Sequence, residues 1–247
     1  MRFRDLFPTL FRPDPAPHLI PGALSGVLRS EDQVEDALRR IRALGLGPHQ
    51  DRPKNWDAFL AFSAIRRDPR RDVAVVDLGA AVYGRVLRWL RAYGVGDLHG
   101  CDRTFTHAFR KHGISFTRQD IQGTDYPSGR FDYATCLSVV EHGVDPVRFF
   151  TEAARILKPG GTLLLSTDYW CTAVASPGLY DDLYNCPVTI FTEESFRPFM
   201  VAAQTAGFVL PEAIDLRCGE PLVHWRRLDL RFTFLFLELR LRGRTMA

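Results

Sequence analysis

Apolar and polar positions follow a helical spacing in the N-terminal part of the chain, and strand-like and helix-like spacings alternate after it. Ser30 and Gln33 have the spacing of a capping box, and the apolar residues after them recur every three or four positions until Gly45. This pattern predicts an amphipathic helix, and a second helix is predicted over 55–66. Residues 1–29, rich in proline and phenylalanine, are expected to pack on the main domain or on a partner.

Beyond residue 72, short apolar runs that suit buried strands alternate with amphipathic helical segments. The predicted strands cover 73–78, 98–101, 114–117, 131–139, 162–166, 208–216 and 232–241. The predicted helices cover 84–93, a segment from Asp145-Pro146 to Lys158, and a segment from Thr192 to Gly207 that Pro198 is expected to bend. This alternation predicts an α/β fold with a doubly wound, mostly parallel, seven-stranded sheet and helices on both faces.

The composition is that of an ordinary globular protein, with 46% hydrophobic and 25% charged residues. The net charge of +3 provides no long-range field that would concentrate nucleic acid on the surface. No apolar stretch approaches the ~20 residues that span a bilayer, and residues 1–11 make a poor signal peptide. The five cysteines are scattered and form no CxxC pair, which argues against a zinc site and against a disulfide framework. A reducing, cytoplasmic location is therefore expected.

Residues just after each strand are the candidates for a site, because the ligand crevice of an open parallel sheet lies beyond the carboxyl ends of its strands. Asp77 and Gly79 end the first strand, where glycine permits a tight turn. Asp102 ends the second strand, about where an acidic residue binds a ribose hydroxyl. Asp120 and Ile121 follow the third strand and suit the edge and face of a purine. Each is also typical of a plain turn or cap, but their joint order favours a nucleotide-like ligand.

Two runs carry a resemblance to a known family. One is Leu137-Ser138-Val139-Val140-Glu141-His142, and the other extends from Phe149 to Leu163 and contains Leu157-Lys158-Pro159-Gly160-Gly161. With these SVxEH and LKPGG motifs, residues 73–241 resemble the class I S-adenosylmethionine-dependent methyltransferases, particularly those that act on small molecules. The resemblance implies a Rossmann-like methyltransferase fold over 67–247, with residues 1–66 as a cap on the active site.

The same resemblance implies that the cofactor is S-adenosyl-L-methionine, and it assigns residues to the two ends of that molecule. The methionine part would lie over residues after the first and fourth strands: Asp77, Gly79, Ala80, Ala81, Leu137 and Ser138. The adenosine part would lie against residues after the second and third strands: Cys101, Asp102, Arg103, Asp120 and Ile121. Asp102 would bind the ribose hydroxyls and Asp120 the adenine amino group. Ala81 replaces the second glycine of the family motif, and because it adds only one methyl group, cofactor binding is expected to persist.

Two other classes of protein compete with this interpretation. A nicotinamide-dependent dehydrogenase has a similar fold, but its GxGxxG turn is absent from this sequence. A pseudoenzyme that has lost the cofactor is the second competitor, and the presence of Asp77, Gly79, Asp102 and Asp120 argues against it.

The methyl acceptor is expected beyond strands four and five, where His142, Asp168 and Tyr169 are the candidate catalytic residues. Methyl transfer from a sulfonium requires alignment and, for a hydroxyl acceptor, removal of a proton. His142 is the first candidate for the general base because imidazole titrates near neutral pH, and a structural or cofactor-side role is the alternative. The helix that contains Lys54 and Trp56 is expected to close the site, although Trp56 itself favours a core position.

Acidic and aromatic residues near these strand ends favour O-methylation of a sugar or natural-product hydroxyl. RNA or protein methylation is the alternative, supported by the arginines of the C-terminal stretch, which also suit one solvated strand face: Arg226, Arg227, Arg231, Arg240, Arg242 and Arg244. The loop over 171–188 suits a lid and a solvated connection equally, and both interpretations stay open. No metal is expected, because HxxxH and paired-cysteine spacings are absent; Asp168, Asp181 and Asp182 around Mg²⁺ are the alternative.

Overall fold

A computed structural model of the chain describes residues 13–22, 24–174, 180–181, 185–226 and 229–243. Its main feature is a sheet with helices on both faces. A short 3-10 helix, Ala16–His18, precedes five α-helices: α1 (Glu31–Ala43), α2 (Lys54–Arg66), α3 (Val86–Ala92), α4 (Pro146–Ile156) and α5 (Glu193–Thr205). The strands are β1 (Gly26–Val27), β2 (Ala74–Leu78), β3 (Asp97–Asp102), β4 (Phe109–Lys111), β5 (Ile114–Arg118), β6 (Phe131–Leu137), β7 (Leu157–Tyr169), β8 (Tyr180–Asp181), β9 (Cys186–Pro187), β10 (Phe208–Val209), β11 (Val223–Trp225) and β12 (Leu230–Leu241).

Ten of these strands form one sheet. Eight follow the order β1-β12-β7-β6-β2-β3-β5-β4, β10 and β11 pair with β12, and β8 pairs separately with β9. The central strands β7, β6, β2, β3 and β5 are parallel, and β12 runs antiparallel to β7. The predicted doubly wound, mostly parallel α/β fold is therefore confirmed, with ten strands instead of seven.

The direction in which the sheet grows reverses at β2. This strand pairs with β3 on one side, through Asp77 opposite Gly100, and with β6 on the other side, through Asp77 opposite Thr135. The chain extends the sheet from β2 to β3 and β5, and then returns to place β6 and β7 on the opposite side. Such a reversal opens a crevice beyond the carboxyl ends of the strands. Asp77 therefore lies at the mouth of this crevice.

The hydrophobic core lies on both faces of the sheet, because the parallel strands are apolar on both sides. In β2, Val75 packs with residues of α1, α2 and α3, and Val76 packs with residues of α4 and α5. Each fully buried side chain of this kind contributes roughly 1.5–3 kcal/mol to folding. Helix α2 is buried on nearly every side, and its buried residues include the polar Asn55, Asp57 and Ser63. Buried polar groups need partners inside the protein, so α2 must make polar contacts with its neighbours.

The helix caps that the sequence predicts at Ser30 and Thr192 are confirmed. Gln33 Oε1 accepts a hydrogen bond from Ser30 N at 3.3 Å, and Thr192 Oγ1 accepts one from Ser195 N at 3.2 Å. These bonds satisfy backbone groups that a helix leaves unpaired at its first turn. Helix α5 continues through Pro198 as far as Thr205. None of the helices in the described part of the chain is long and apolar enough to cross a membrane.

Several segments differ from the sequence-based prediction, and three of them bear on the sheet. Strand β7 extends well beyond the expected 162–166, because Pro159-Gly160-Gly161 remains within the strand as an irregularity in its pairing with β6. The strand expected over 208–216 is limited to Phe208–Val209. Strand β4 forms an antiparallel pair with β5 that the pattern did not predict.

The prediction that the cysteines do not pair is wrong in one case, because a disulfide joins Cys171 to Cys218. Their Cα atoms lie 5.7 Å apart, since the loop after β7 runs beside the segment that precedes β11. The two residues are 47 positions apart in the sequence, so this proximity arises from tertiary structure. Cys101, Cys136 and Cys186 are free and buried.

Candidate functional site

Two cavities open at the carboxyl ends of the central strands and form one cleft, because Gly79 and Ser138 line both of them. The first has a volume of about 110 Å³ and the second about 380 Å³. The first cavity contains residues expected near adenosine: Asp102, Arg103, Asp120 and Ile121. The second contains residues expected under the methionine part: Asp77, Ala81 and Leu137. Ala80 and Cys101, also expected near the cofactor, line neither cavity.

Gly79 connects the two cavities at a point of close approach between β2 and the end of β6. Its φ is +80°, and a Cβ atom placed on it would lie 2.5 Å from Cγ2 of Val139. The N–H groups of Gly79 and Ala80 both donate to the carbonyl of Cys101 at 2.9 Å, which holds the turn in place. Cys101 therefore contributes its backbone, while its thiol is fully buried and burial raises its pKa.

Strand β2 contributes one acidic residue, Asp77, to the second cavity. Its Oδ1 accepts a hydrogen bond from Thr135 Oγ1 at 2.6 Å. Burial raises the pKa of Asp77 to about 6, although the bond from Thr135 opposes this shift. A carboxyl group with this pKa is mostly ionised at neutral pH and attracts a cationic group such as an ammonium.

Asp102 and Asp120 present acceptors in the first cavity. Oδ1 of Asp102 accepts hydrogen bonds from Thr104 N at 2.7 Å and Thr104 Oγ1 at 2.5 Å. A turn and not a helix follows Asp102, so the alternative role of a helix cap does not apply. Asp120 Oδ1 accepts from Gln122 N at 2.9 Å. Ile121, 8% exposed, supplies apolar surface between these polar groups.

His142, the first candidate for the base, lies on the adenosine side of the cleft. It lines the first cavity and not the second. Its backbone N–H donates to the carbonyl of Val139 at 3.1 Å, and its Nδ1 lies 3.8 Å from Sγ of Cys186. This position is compatible with the cofactor-side role that the sequence left open.

Lys54 extends from the start of α2 to the end of β6. Its Nζ donates to Oγ of Ser138, lies 3.4 Å from Oδ2 of Asp57, and sits 4.0 Å from the centre of the Phe234 ring. Oδ2 of Asp57 also accepts from Ser166 Oγ at 2.6 Å. Burial lowers the pKa of Lys54, but the charges of nearby carboxylates outweigh burial and raise it above the usual value. Lys54 therefore stays charged, and it brings the N-terminal segment into the second cavity.

Glu141 and Asp168 form a buried carboxyl pair at the ends of β6 and β7. Glu141 is 1% exposed and Asp168 is 9% exposed. Glu141 Oε2 accepts from Thr167 Oγ1 at 3.1 Å. Burial raises the pKa of Asp168 well above its usual range, and the charge of Glu141 and a hydrogen bond between the two carboxyls raise it further. Because like charges this close repel each other, the environment disfavours ionisation of both carboxyl groups at once.

Tyr169 and Trp56 have structural contacts. The hydroxyl of Tyr169 donates to the carbonyl of Leu216 at 3.1 Å, and the side chain is 1% exposed. Trp56 is 5% exposed and belongs to the core, with its ring edge-on to that of Phe236, which confirms its expected core position. Tyr169 thus has its hydroxyl directed to a backbone carbonyl, whereas Asp168 beside it belongs to the carboxyl cluster.

Four predicted features fall partly outside the described residues, among them the N-terminal segment over 1–29, of which residues 1–12 and 23 lie there. Most of the loop over 171–188, including Asp182, lies there, and the side chain of Asp181 does too. Within the described part, no group of three or more His, Cys, Asp or Glu side chains is arranged to hold a metal ion. Arg227 and Arg244 of the arginine-rich stretch also lie outside.

The residues that line the cleft suit the chemistry of the expected cofactor. Its first cavity offers carboxylates for the ribose hydroxyls and the adenine amino group, and an apolar surface for the adenine ring. Its second cavity offers carboxylates and cations for the ammonium and carboxylate groups of the methionine part. Val139 and Arg85 line the cleft although the sequence did not single them out as site residues. The one signal for Arg85 was its place directly after the Gly79–Gly84 turn.

A family model described as a methyltransferase domain matches residues 36–210 of the chain. A ubiquinone biosynthesis O-methyltransferase of Coxiella burnetii (strain Dugway 5J108-111) is 41% identical over 54 residues. That stretch is 22% of this chain and 23% of the relative, so the match spans about a quarter of the curated protein's length.

Solved methyltransferase structures share the fold. An S-adenosylmethionine-dependent methyltransferase from Mesorhizobium loti is similar with a TM-score of 0.50 and 19% identity, over 72% of this chain and 95% of that one. Phosphoethanolamine N-methyltransferase 2 from Haemonchus contortus, in complex with S-adenosyl-L-methionine, is similar with a TM-score of 0.52 and 15% identity, over 78% and 54% of the two chains.

Proposed function

This chain belongs to the methyltransferase-domain family and is an S-adenosylmethionine-dependent methyltransferase, and we propose that it methylates a hydroxyl group of a small molecule, such as a sugar or a natural product. The observation that carries the proposal is the charge cluster of Lys54, Asp57, Glu141 and Asp168, of which Lys54 and Asp57 line the second cavity. A hydroxyl acceptor needs a group that removes its proton, and this cluster supplies carboxylates for that purpose.

The cofactor, when bound, supplies an activated methyl group on a sulfonium. In this proposal Asp102 and Asp120 hold the adenosine part, and Asp77 and Gly79 lie under the methionine part. Residues 1–66 act as the cap, since Lys54 reaches Ser138 from α2. These residues exclude water and align the acceptor, which is most of what such a transfer requires.

The carboxyl pair of Asp168 and Glu141 is the proton acceptor in this proposal, and its ionised member takes the proton. Lys54 stabilises the negative charge on the pair. A hydroxyl becomes strongly acidic as its oxygen gains a methyl group, so a carboxylate is basic enough to take the proton. His142 is the second candidate for the base, because it lines the first cavity.

The relatives and the surface charges favour a small hydroxyl acceptor over RNA or protein. The curated relatives that match part of the chain are O-methyltransferases by name. Arg231 and Arg240 are exposed but lie near opposite ends of β12, roughly 30 Å apart at about 3.3 Å per residue. Such a separation does not make one basic patch of the kind that binds a nucleic acid backbone.

The test is a methyl-transfer assay with S-adenosylmethionine that carries a labelled methyl group. We expect label in hydroxylated small molecules from a panel of phenols, sugars and glycosides, as a methyl ether identified by mass spectrometry. Label in RNA or protein, with none in small molecules, would show that the acceptor class is wrong.

The role of Asp168 is tested on the acceptor that the panel identifies. Asp168→Asn is expected to lower the turnover rate about 10²- to 10⁴-fold, with cofactor affinity within a few-fold of the wild type. Glu212→Gln, at an exposed position, is the matched control and should keep full activity. Loss of turnover in His142→Gln but not in Asp168→Asn would transfer the role of base to His142.

A further inference from the structure

Arg85 places its guanidinium group at the edge of the cleft. The residue lies directly before α3 and lines the second cavity. Its Nε atom is buried, and no described residue accepts a hydrogen bond from it. A buried donor that lacks an acceptor costs about 1–3 kcal/mol, and more when the group is charged. This cost favours an anionic or strongly accepting group at this position.

The other cationic side chains of the second cavity, and its Asp77, already have partners. Lys54 contacts Ser138 and Asp57, and Asp77 accepts from Thr135. His49 Nδ1 accepts from the backbone N–H of Asp51 at 3.0 Å. Among the described residues that line this cavity, Arg85 is therefore the cation for which no carboxylate partner is present.

We propose that Arg85 binds the α-carboxylate of the methionine part of S-adenosylmethionine. That end of the cofactor carries one ammonium and one carboxylate group, and the second cavity offers Asp77 for the former and Arg85 for the latter. A guanidinium forms charge-assisted, often paired hydrogen bonds to a carboxylate. Arg85 is thus a specificity-determining residue that distinguishes cofactors by the presence of this carboxylate.

The test compares two ligands that differ in that group. Isothermal titration of the full chain uses S-adenosylmethionine and decarboxylated S-adenosylmethionine, which lacks the carboxylate. In the wild type we expect the decarboxylated ligand to bind about 10- to 100-fold more weakly. This is the loss of affinity that follows when hydrogen bonds to a charged group are removed. Equal affinity of the wild type for both ligands would overturn the proposal without any variant.

The variant Arg85→Gln assigns the effect to this residue. We expect it to weaken S-adenosylmethionine binding about 10- to 100-fold and to leave binding of the decarboxylated ligand within about threefold, so the preference between ligands disappears. Arg88→Gln is the matched control, because Arg88 is exposed on α3, and it should keep the wild-type preference. An equal loss for both ligands, or no loss for either, would overturn the assignment.

Arg85→Lys provides the measurement if Arg85→Gln does not fold. It keeps the charge but not the fork of donors, so we expect a reduced preference for the carboxylate-bearing ligand. An unchanged preference in Arg85→Lys would count against paired hydrogen bonds to the carboxylate. No acceptor is present in these titrations, so their failure leaves the proposed hydroxyl acceptor unaffected, and the converse also holds.

Discussion

Gly79→Ala is expected to lower the free energy of unfolding of the protein, for two separable reasons. The backbone at Gly79 has φ +80°, a region that costs a residue with a Cβ atom about 1–2 kcal/mol. The new Cβ would also lie 2.5 Å from Cγ2 and 2.7 Å from Cγ1 of Val139. Rotation of Val139 does not remove the overlap, because both γ carbons are already close. Overpacking of this kind costs about 1–3 kcal/mol, so the total is about 2–5 kcal/mol.

The assay is urea unfolding followed by circular dichroism, with the free energy of unfolding obtained by linear extrapolation. Gly129→Ala is the matched control: Gly129 has φ +63°, and a Cβ there has nothing within 4 Å. It should show the backbone cost alone, about 1–2 kcal/mol.

The double variant Gly79→Ala/Val139→Ala separates the steric part from the backbone part. We expect it to cost about 1–3 kcal/mol less than the sum of the two single variants, because the second substitution removes the overlapping atoms. The reasoning fails if Gly79→Ala costs no more than Gly129→Ala, or if the two substitutions are additive.

Two further predictions concern acidic residues of the cleft. Asp102→Ala should weaken S-adenosylmethionine binding by about 1–3 kcal/mol, since polar groups of the ribose lose their partner; unchanged affinity by calorimetry in a folded variant would remove Asp102 from the site. Cofactor affinity should rise up to about tenfold between about pH 5 and pH 7 as Asp77 ionises around its pKa of about 6. Asp77→Asn should flatten this dependence, and a wild-type affinity independent of pH would contradict it. For stability the sign is opposite: the raised pKa favours the folded protein below the ordinary Asp value, and that contribution is lost as the pH rises through about 6.

Much of the fold was predictable from local features. The valine-rich run of β2 indicated a strand buried on both faces, and the structure places its side chains in the cores on the two sides of the sheet. Capping residues such as Thr192 marked helix starts, because they satisfy amides within three residues of themselves. The length of β7 was not predictable in this way. A Pro-Gly-Gly run is typical of a turn, and its retention in the strand depends on pairing with β6.

The cofactor-side candidates were also accessible to sequence reasoning, since Asp77, Asp102 and Asp120 each lie at or just after the carboxyl end of a strand and parallel strands end at the same edge of a sheet. The structure places all three in one cleft. Tyr169 was expected there by the same reasoning, but side chains alternate across a strand, and it points instead to the carbonyl of Leu216.

Contacts between distant segments were settled by the packing of whole elements. Lys54 meets Ser138 across 84 positions, and the disulfide joins Cys171 to Cys218 across 47. The carboxyl cluster likewise depends on how α2 lies over β6 and β7. Spacing along the sequence predicts which side chains lie close together only within one helical turn or one strand, because only there does local backbone geometry determine the distance between them. The surroundings of Lys54 and Arg85 depend on where helices dock on the sheet, and that position is determined by the core as a whole.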